Sequence, residues 1–177
     1  MIQRYVNIRL FVGMLMLFSL AIGFTACTIS YQFNGASIDY TKIKSIVIRD
    51  FTNQAAYVNP TLAPTFTDDL KDLYTRQTRL EMSTTTGDLE LEGEITGYEF
   101  TPMAVKEDAL SSQTRLTVTI RVRYINNTNP DEDFEQSFSA YREYDNTSLL
   151  QDVESDLCDE IIEEIIDQIY NATVANW

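Results

Sequence analysis

The stretch TRLTVTIRVRY, residues 114–124, decides the fold because apolar and polar side chains alternate along its whole length. One set of alternate positions is apolar and consists of Leu116, Val118, Ile120, Val122 and Tyr124. The other set is polar or basic and consists of Arg115, Thr117, Thr119, Arg121 and Arg123. Successive side chains of a strand point to opposite faces of its sheet. The pattern therefore predicts a strand of an antiparallel sheet, with one face buried and the other in water.

Two neighbouring segments, residues 88–100 and 134–144, alternate in the same way. Between 114–124 and 134–144 lies NNTNPD, residues 126–131, which is dense in turn-forming residues. The three segments are therefore expected to form an antiparallel meander. A fourth strand is predicted within residues 42–51, because consecutive β-branched residues suit a strand that is covered on both faces.

Two amphipathic helices complete the set of elements. Asn59 can cap a helix and Pro60 fits a first turn, so a helix is expected from there to about Thr78. A second helix is expected after Thr147 or Ser148, because Ser148 and Gln151 have the spacing of a capping box. Apolar residues recur in steps of three and four along both helices. The longer of these stripes consists of Leu150, Val153, Leu157, Ile161, Ile165 and Ile169.

The predicted element order is β-α-β-β-β-α. A meander with one apolar face needs cover, and two helices with apolar stripes can supply it. We therefore predict an α+β fold: a two-layer sandwich whose four-stranded, mainly antiparallel sheet is covered on one face by two helices. The single domain is expected to span residues 42–172 and to be followed by a short tail, residues 173–177.

The N-terminus has the layout of an export signal. Residues 1–9 are basic, and residues 10–24 form an uncharged, mostly apolar run that is shorter than a bilayer-spanning helix. Two small residues then precede Cys27, an arrangement that resembles the lipobox of bacterial lipoproteins. In such proteins the cysteine becomes the N-terminus and carries acyl chains. We predict a signal peptide over 1–26, an acylated Cys27 and a tether over 27–41.

Two alternatives to lipidation remain, an uncleaved anchor helix and an ordinary secretory signal, because Phe24 stands where the usual lipobox has Leu. Thr28 differs from the Asp that retains some lipoproteins at the inner membrane. No acidic cluster that would suggest export to the cell surface follows it. The predicted location is therefore the periplasmic face of the outer membrane.

Composition limits the possible functions. The formal net charge is −14, so the chain is not expected to bind nucleic acid or anionic lipid through a general basic field. Histidine is absent, which removes the commonest general base and most zinc sites. We therefore expect no catalytic residue, no metal site and no cofactor, and we do not expect an enzyme. Cys158 lies among isoleucines and is expected to be a small buried residue.

The candidate binding residues lie on the sheet face that the helices leave open. A hairpin that turns between residues 107 and 108 would place Glu92 opposite Arg123 and Glu94 opposite Arg121. One interpretation is therefore a wet surface of cross-strand ion pairs. The other is a partner or ligand surface on which arginines bind phosphate. The candidate contacts are Lys106, Arg115, Arg121 and Arg123.

Several segments together resemble a known family. They are KIKSIVI (42–48), VNPTL (58–62), FTDDLKD (66–72), QTRL (77–80) and GDLELEGEITGY (87–98). With Cys27 and a nearby Tyr31-x-Phe33, they resemble the LptE-type lipoproteins of lipopolysaccharide assembly, in the form found in Bacteroidetes.

The resemblance implies two helices on a four-stranded sheet. It also implies a plug inside the LptD β-barrel that helps the barrel to fold and assists insertion of lipopolysaccharide into the outer leaflet. The implied partners are LptD, lipopolysaccharide and the membrane that holds the acylated Cys27. Two rival functions are a lipid-anchored pilot or tethering subunit of another envelope complex, and a periplasmic hydrolase built on carboxylates.

Overall fold

A computed structural model of the protein describes residues 38–57, 59–103 and 112–174. These ranges hold six strands, two α-helices and one 3₁₀ turn. The strands are β1 (Ser45–Ile48), β2 (Thr52–Asn53), β3 (Glu81–Met82), β4 (Leu89–Pro102), β5 (Gln113–Asn126) and β6 (Phe134–Asp145). The helices are α1 (Leu62–Gln77) and α2 (Leu150–Thr173), and the 3₁₀ turn is Pro130–Glu132.

The strands form one mixed sheet in the order β3-β1-β4-β5-β6, and β2 also pairs with β4. The β4-β5-β6 meander is antiparallel, whereas β1 runs parallel to both β3 and β4. The α+β class with two helices is confirmed. The expected four-stranded, mainly antiparallel sheet and its element order are corrected to a six-stranded mixed sheet. Strands β2 and β3 have two residues each, too few to show a period in the sequence.

The core lies between the sheet and the two helices. Leu91 and Ile95 of β4 and Ile120 of β5 are fully buried there. The helices contribute large side chains that are also fully buried, namely Phe66, Leu70, Tyr74, Ile161, Ile165 and Ile169. Each such side chain contributes about 1.5–3 kcal/mol through its removal from water. The predicted apolar stripes are therefore the surfaces that join the helices to the sheet.

Both helices begin later than the sequence predicts. The Asn59 side-chain oxygen accepts hydrogen bonds from the Thr61 amide (3.1 Å) and hydroxyl (2.9 Å), and α1 starts only at Leu62. Helix α2 starts at Leu150 without a side-chain cap, so the expected capping box of Ser148 does not form. Asparagine and serine also stabilise turns, and here the turn precedes the helix.

A β-bulge interrupts β4. Ile95 pairs with Ile120 of β5, but the next pair is Gly97 with Thr119, so Thr96 is an extra residue. An extra residue reverses the side-chain alternation beyond it. Uninterrupted alternation along residues 88–100 predicts Tyr98 and Phe100 on the open face, beside Glu90, Glu92 and Glu94. This prediction is wrong: Tyr98 is buried in the core and Phe100 packs against it.

Candidate functional site: the open face of the sheet

The charged cluster at the centre of the open face is built by β4 and β5, whose register is the predicted one. Glu92 lies opposite Arg123, and Glu94 lies opposite Arg121. This part of β4 precedes the bulge, so the alternation still places these four side chains away from the helices. Arg121 and Arg123, two of the three candidate arginines of β5, are therefore neighbours on one surface.

The carboxylates in this cluster are shared among three guanidinium groups. Arg121 pairs with Glu94 and lies 3.7 Å from Glu135 of β6. Arg123 lies 3.2 Å from Glu92. Arg49, which follows β1, lies 3.5 Å from the same Glu92. A depression of about 340 Å³ lies among these side chains.

Arg49 is a member of this cluster that the sequence did not reveal. Its Nη2 donates to Glu90 Oε2 at 2.9 Å, in addition to its contact with Glu92. Arg49 reaches β4 because β1 pairs with β4 in parallel, with Ile48 opposite Leu91. Alternation within a strand predicts which side chains share its face, but not which strand will lie beside it. A four-residue strand offered no further signal.

The arginines of the cluster remain accessible to a competing anion. The side chains of Arg121 and Arg123 are 51% and 58% exposed. Exposed ion pairs of this kind contribute about 0–1 kcal/mol each, because water screens them. A phosphate group offers a guanidinium a bidentate partner of greater charge than a carboxylate. The cluster can therefore exchange an internal carboxylate for an external phosphate at small cost.

Arg115 is held in a different place. Its Nη2 lies 2.6 Å from Glu143 Oε1, and its guanidinium carbon lies 4.1 Å from the centre of the Tyr141 ring. Arg115 precedes Arg121 by six residues of the same strand, which is about 20 Å at the rise of a strand. The structure therefore does not bring Arg115 together with Arg121 and Arg123. Lys106 and Cys27 lie outside the described residues.

A second polar cluster lies under the sheet, near the start of α2. The Tyr98 hydroxyl donates to Glu154 Oε1 at 2.6 Å and lies 3.5 Å from Cys158 Sγ. Burial is the main cause that raises the pKa of the Cys158 thiol, and it also raises the pKa of Tyr98. Both groups therefore stay protonated near neutral pH. The prediction that Cys158 is a buried residue is confirmed.

Aromatic side chains extend this cluster towards the end of the hairpin. The Tyr57 ring stacks on Tyr98 with a centroid distance of 5.3 Å, and Phe100 meets Tyr98 edge-on at 5.5 Å. Half of Tyr57 is exposed. One end of the β4-β5 hairpin is therefore aromatic on the helix side, whereas its middle is ionic on the open side.

The outer surface of the helices is acidic. Burial and then the nearby charge of Asp159 raise the pKa of Asp69, so carboxylates of α1 and α2 repel one another across the helix pair. Arg142 of β6 offsets part of this charge, with contacts of 2.7 Å to Glu160 and 2.6 Å to Glu164. These two glutamates, Glu164 first, raise the pKa of Arg142.

The described ranges hold neither a cluster of metal-ligand type nor a helix that could cross a membrane. In 38–57, 59–103 and 112–174, no cluster of three or more histidine, cysteine or acidic side chains has the arrangement of a metal site. Over the same ranges, neither helix combines the length and apolar character needed to cross a membrane.

Comparison with known proteins supplies the family. A family model described as lipopolysaccharide-assembly, LptE, matches residues 43–173. This match spans α1, α2 and every strand of the sheet, and it defines an envelope protein of lipopolysaccharide assembly. The chain belongs to the LptE family. No curated protein matches the sequence significantly.

Solved structures with a similar fold include three envelope or uncharacterised proteins. The hypothetical protein CT253 from Chlamydia trachomatis has a TM-score of 0.51 at 12% identity, over 75% of this chain and 99% of that one. A minor lipoprotein from Acinetobacter baumannii has a TM-score of 0.49 at 16% identity, over 76% and 94%. The uncharacterized lipoprotein B from Nitrosomonas europaea has a TM-score of 0.48 at 13% identity, over 76% and 86%. At 12% identity, the likeness to CT253 bears on the fold alone.

Proposed function

We propose that this protein is the plug and assembly factor of the LptD β-barrel, held at the periplasmic face of the outer membrane by an acylated Cys27. The observation that carries the proposal is the family match over residues 43–173, which covers the whole described domain except its first residues and its last. The lipobox-like sequence before Cys27 supports the anchor. Two or more acyl chains on one cysteine would give the stable attachment that a single chain does not.

The proposed role is structural and does not involve catalysis. A plug has to fill a lumen and keep its shape, and a packed two-layer domain suits that purpose. The buried thiol of Cys158 has a raised pKa, which does not suit a nucleophile. Carboxylates are abundant, but those of the open face are engaged with arginines.

Within this role, Arg121 and Arg123 are the proposed contacts for the phosphates of lipopolysaccharide. Both are more than half exposed, and their present partners, Glu94 and Glu92, are partly buried carboxylates. Lys106 and Arg115 remain candidates from the sequence. Arg115 is the weaker of these two, because Glu143 and Tyr141 hold it from both sides.

Recovery of the full chain from cell envelopes tests the proposal. A tagged wild-type protein, extracted in mild detergent after cross-linking, is expected to bring down one large outer-membrane β-barrel identified by mass spectrometry as LptD. Recovery of the subunits of a different envelope machine, without that barrel, would favour the pilot function instead. A Cys27→Ala variant is the control for the anchor, and it is expected to leave the membrane fraction while it keeps its melting temperature.

The phosphate contact needs a separate test. Arg121→Glu combined with Arg123→Glu should weaken retention of lipopolysaccharide on the purified complex and leave barrel recovery unchanged. Retention at the wild-type level would contradict the proposed contact. A large fall in melting temperature would instead identify the two arginines as structural pairs.

A further inference from the structure

Strand β6 is a terminal strand of the sheet. It runs for 12 residues in unbroken register with β5, and no other described strand pairs with it. Long edge strands expose unpaired amide and carbonyl groups, which proteins usually protect with proline, lysine or a bulge. The sequence of β6, FEQSFSAYREYD, contains neither proline nor lysine, and its register with β5 has no bulge.

The hydrogen bonds of β5 identify which backbone groups of β6 point outward. The Met103 amide donates to the Gln113 carbonyl at 2.8 Å, so odd-numbered residues of β5 face β4. The Asn146 amide donates to the Ser112 carbonyl at 3.0 Å, so even-numbered residues face β6. Since Ile120 pairs with Phe138, the even-numbered residues of β6 bond inward. Five of the six odd-numbered residues face outward along the open edge: Glu135, Ser137, Ser139, Tyr141 and Glu143. The sixth, Asp145, ends the strand, and its carbonyl oxygen already accepts a hydrogen bond from the Ser148 amide at 2.9 Å.

These five residues are also exposed through their side chains, which lie on the open face. Two outward carbonyl oxygens already accept a hydrogen bond from a long side chain. Arg142 Nη1 donates to the Tyr141 oxygen at 2.8 Å, and Gln168 Nε2 donates to the Ser139 oxygen at 3.5 Å. Neither contact occupies an amide, and a carbonyl oxygen can accept a second bond. The edge therefore has both donors and acceptors for an added strand.

The charges of the edge indicate what kind of strand fits. A second copy of this chain is disfavoured by its net charge of −14, and a two-fold pairing centred on Ser139 would also place Glu135 against Glu143. Residues 28–37 contain no lysine or arginine to face these glutamates. A segment of another protein with basic residues at its two ends, eight positions apart, would face both. It would share Glu135 with Arg121, which lies 3.7 Å away, and Glu143 with Arg115, which lies 2.6 Å away.

We propose that β6 binds an extended, basic-ended segment of the barrel subunit as an additional strand. Main-chain hydrogen bonds would supply the affinity, and Glu135 and Glu143 would select the charges of the segment. The identity of the partner rests on the proposed function. The use of the β6 edge rests only on the backbone geometry of β6.

Hydrogen exchange tests the edge independently of the partner's identity. The peptide that contains β6 is compared between the purified full chain and the same chain in detergent-extracted envelopes. The inference predicts that the outward amides exchange quickly in the purified protein and become protected in the extract. Equal exchange in the two samples would overturn it. Protection that is already present in the purified chain would also overturn it, because residues 28–37 or a second copy would then cover the edge.

A proline substitution tests the same edge with a matched control at the same position. Ser139→Pro removes an outward amide and blocks strand addition, while Ser139→Ala keeps the amide. Recovery of the barrel is expected to fall about tenfold or more for Ser139→Pro and to stay near the wild-type level for Ser139→Ala. Both variants should keep the wild-type melting temperature, because proline is tolerated on an edge strand whose amide faces solvent. Full recovery of the barrel by Ser139→Pro would overturn the inference.

The two experiments separate the two proposals. If the wild-type chain brings down no barrel, the proposed function fails, and the exchange experiment still decides whether another polypeptide covers β6. If the barrel is recovered with wild type and with Ser139→Pro alike, the proposed function stands and the edge-strand inference fails. If Ser139→Pro does not fold, the exchange experiment on the wild-type chain alone decides.

Discussion

The open sheet face and the outer helix face differ in how their charges are balanced. On the sheet, Arg49, Arg121 and Arg123 alternate with glutamates, so each positive group has a negative neighbour. On the helices, Asp159 and Glu163 are exposed and form no salt bridge with any described residue. The sheet face can therefore approach a phosphorylated lipid after a local exchange of partners. The helix face would repel the same lipid, and the two faces are suited to different neighbours.

The largest expected effect is on the sheet side of this comparison, at Gly93. This residue lies on the core side of β4, behind the charged cluster. A Cβ atom there would lie 2.3 Å from the Arg121 carbonyl oxygen and 2.5 Å from a Phe51 ring carbon. Gly93→Ala is expected to lower the free energy of unfolding by about 3 kcal/mol, measured by urea denaturation. Gly97→Ala is the matched control, with its nearest contact at 3.1 Å from Thr119, and should cost less than half as much. Equal losses would show that both the Arg121 carbonyl group and the Phe51 ring can move aside.

The next prediction concerns Asp88, whose carboxylate stabilises the sheet layer. Its Oδ2 accepts hydrogen bonds from the Lys44 amide (2.8 Å) and from the Ser45 amide and hydroxyl (both 3.1 Å). The Lys44 amide is the main cause that lowers the pKa of Asp88. Asp88→Ala should lower the free energy of unfolding by about 1–2 kcal/mol at pH 7.

The pH dependence gives this prediction a sign. Because the pKa of Asp88 is lowered in the folded protein, its contribution is complete above the ordinary value of about 4 and is lost as the pH falls through the folded value. The difference between wild type and Asp88→Ala should therefore shrink below pH 4. If the stability difference between wild type and Asp88→Ala stays constant in acid, the loss comes from packing and not from the charge of Asp88.

The third prediction compares two cations. Arg142 lies on the helix side, and Arg123 lies on the sheet side. Arg142 contacts two glutamates of α2 and is 31% exposed, whereas Arg123 has one glutamate partner and is 58% exposed. Arg142→Gln should cost about 1 kcal/mol of unfolding free energy, because Glu160 and Glu164 would lose the charge between them. Arg123→Gln should change it by less than half of that. Thermal and urea unfolding measure the two losses. A larger loss of stability for Arg123→Gln than for Arg142→Gln would contradict the prediction.

The smallest expected effect concerns Asp69 on the helix side. Burial and the carboxylate of Asp159 raise its pKa, so the folded protein holds this proton more tightly than the unfolded chain. Its contribution therefore makes the protein more stable as the pH falls from neutral towards the raised value. Asp69→Asn should raise stability at pH 7 by at most a few tenths of a kcal/mol, since the group is largely solvated. The same variant should flatten the pH profile of the melting temperature as the pH falls from neutral towards the ordinary pKa of an aspartate, about 4.

The sequence was most informative where side chains repeat over many residues. The alternation along residues 114–124 predicted the strand, its buried side and the pairing of Arg123 with Glu92, and the structure confirms all three. It could not predict two-residue strands, because they show no period. It also could not predict that β1 joins β4 in parallel, which brings Arg49 to the candidate site. Contacts between strands distant in sequence depend on how the whole domain packs.

Single-residue features explain the remaining differences. The extra residue Thr96 is indistinguishable in the sequence from its neighbours, yet it moves Tyr98 to the other face. The predicted cap at Ser148 and the predicted helix start at Asn59 rest on residue types that serve turns as well as helices. The roles of Cys27 and Lys106 stay predictions from the sequence.

Thr96 gives the β4-β5 hairpin two kinds of surface in series. Before it, alternate residues of β4 supply acids to the water-facing side; after it, the same spacing supplies aromatic rings to the side beneath the helices. Deletion of this one residue would interchange the two sets along the distal half of the strand. A single inserted amino acid thus acts as a phase shift, and it keeps the apolar side chains of the whole ribbon beneath the helices although they change from odd to even positions in the sequence.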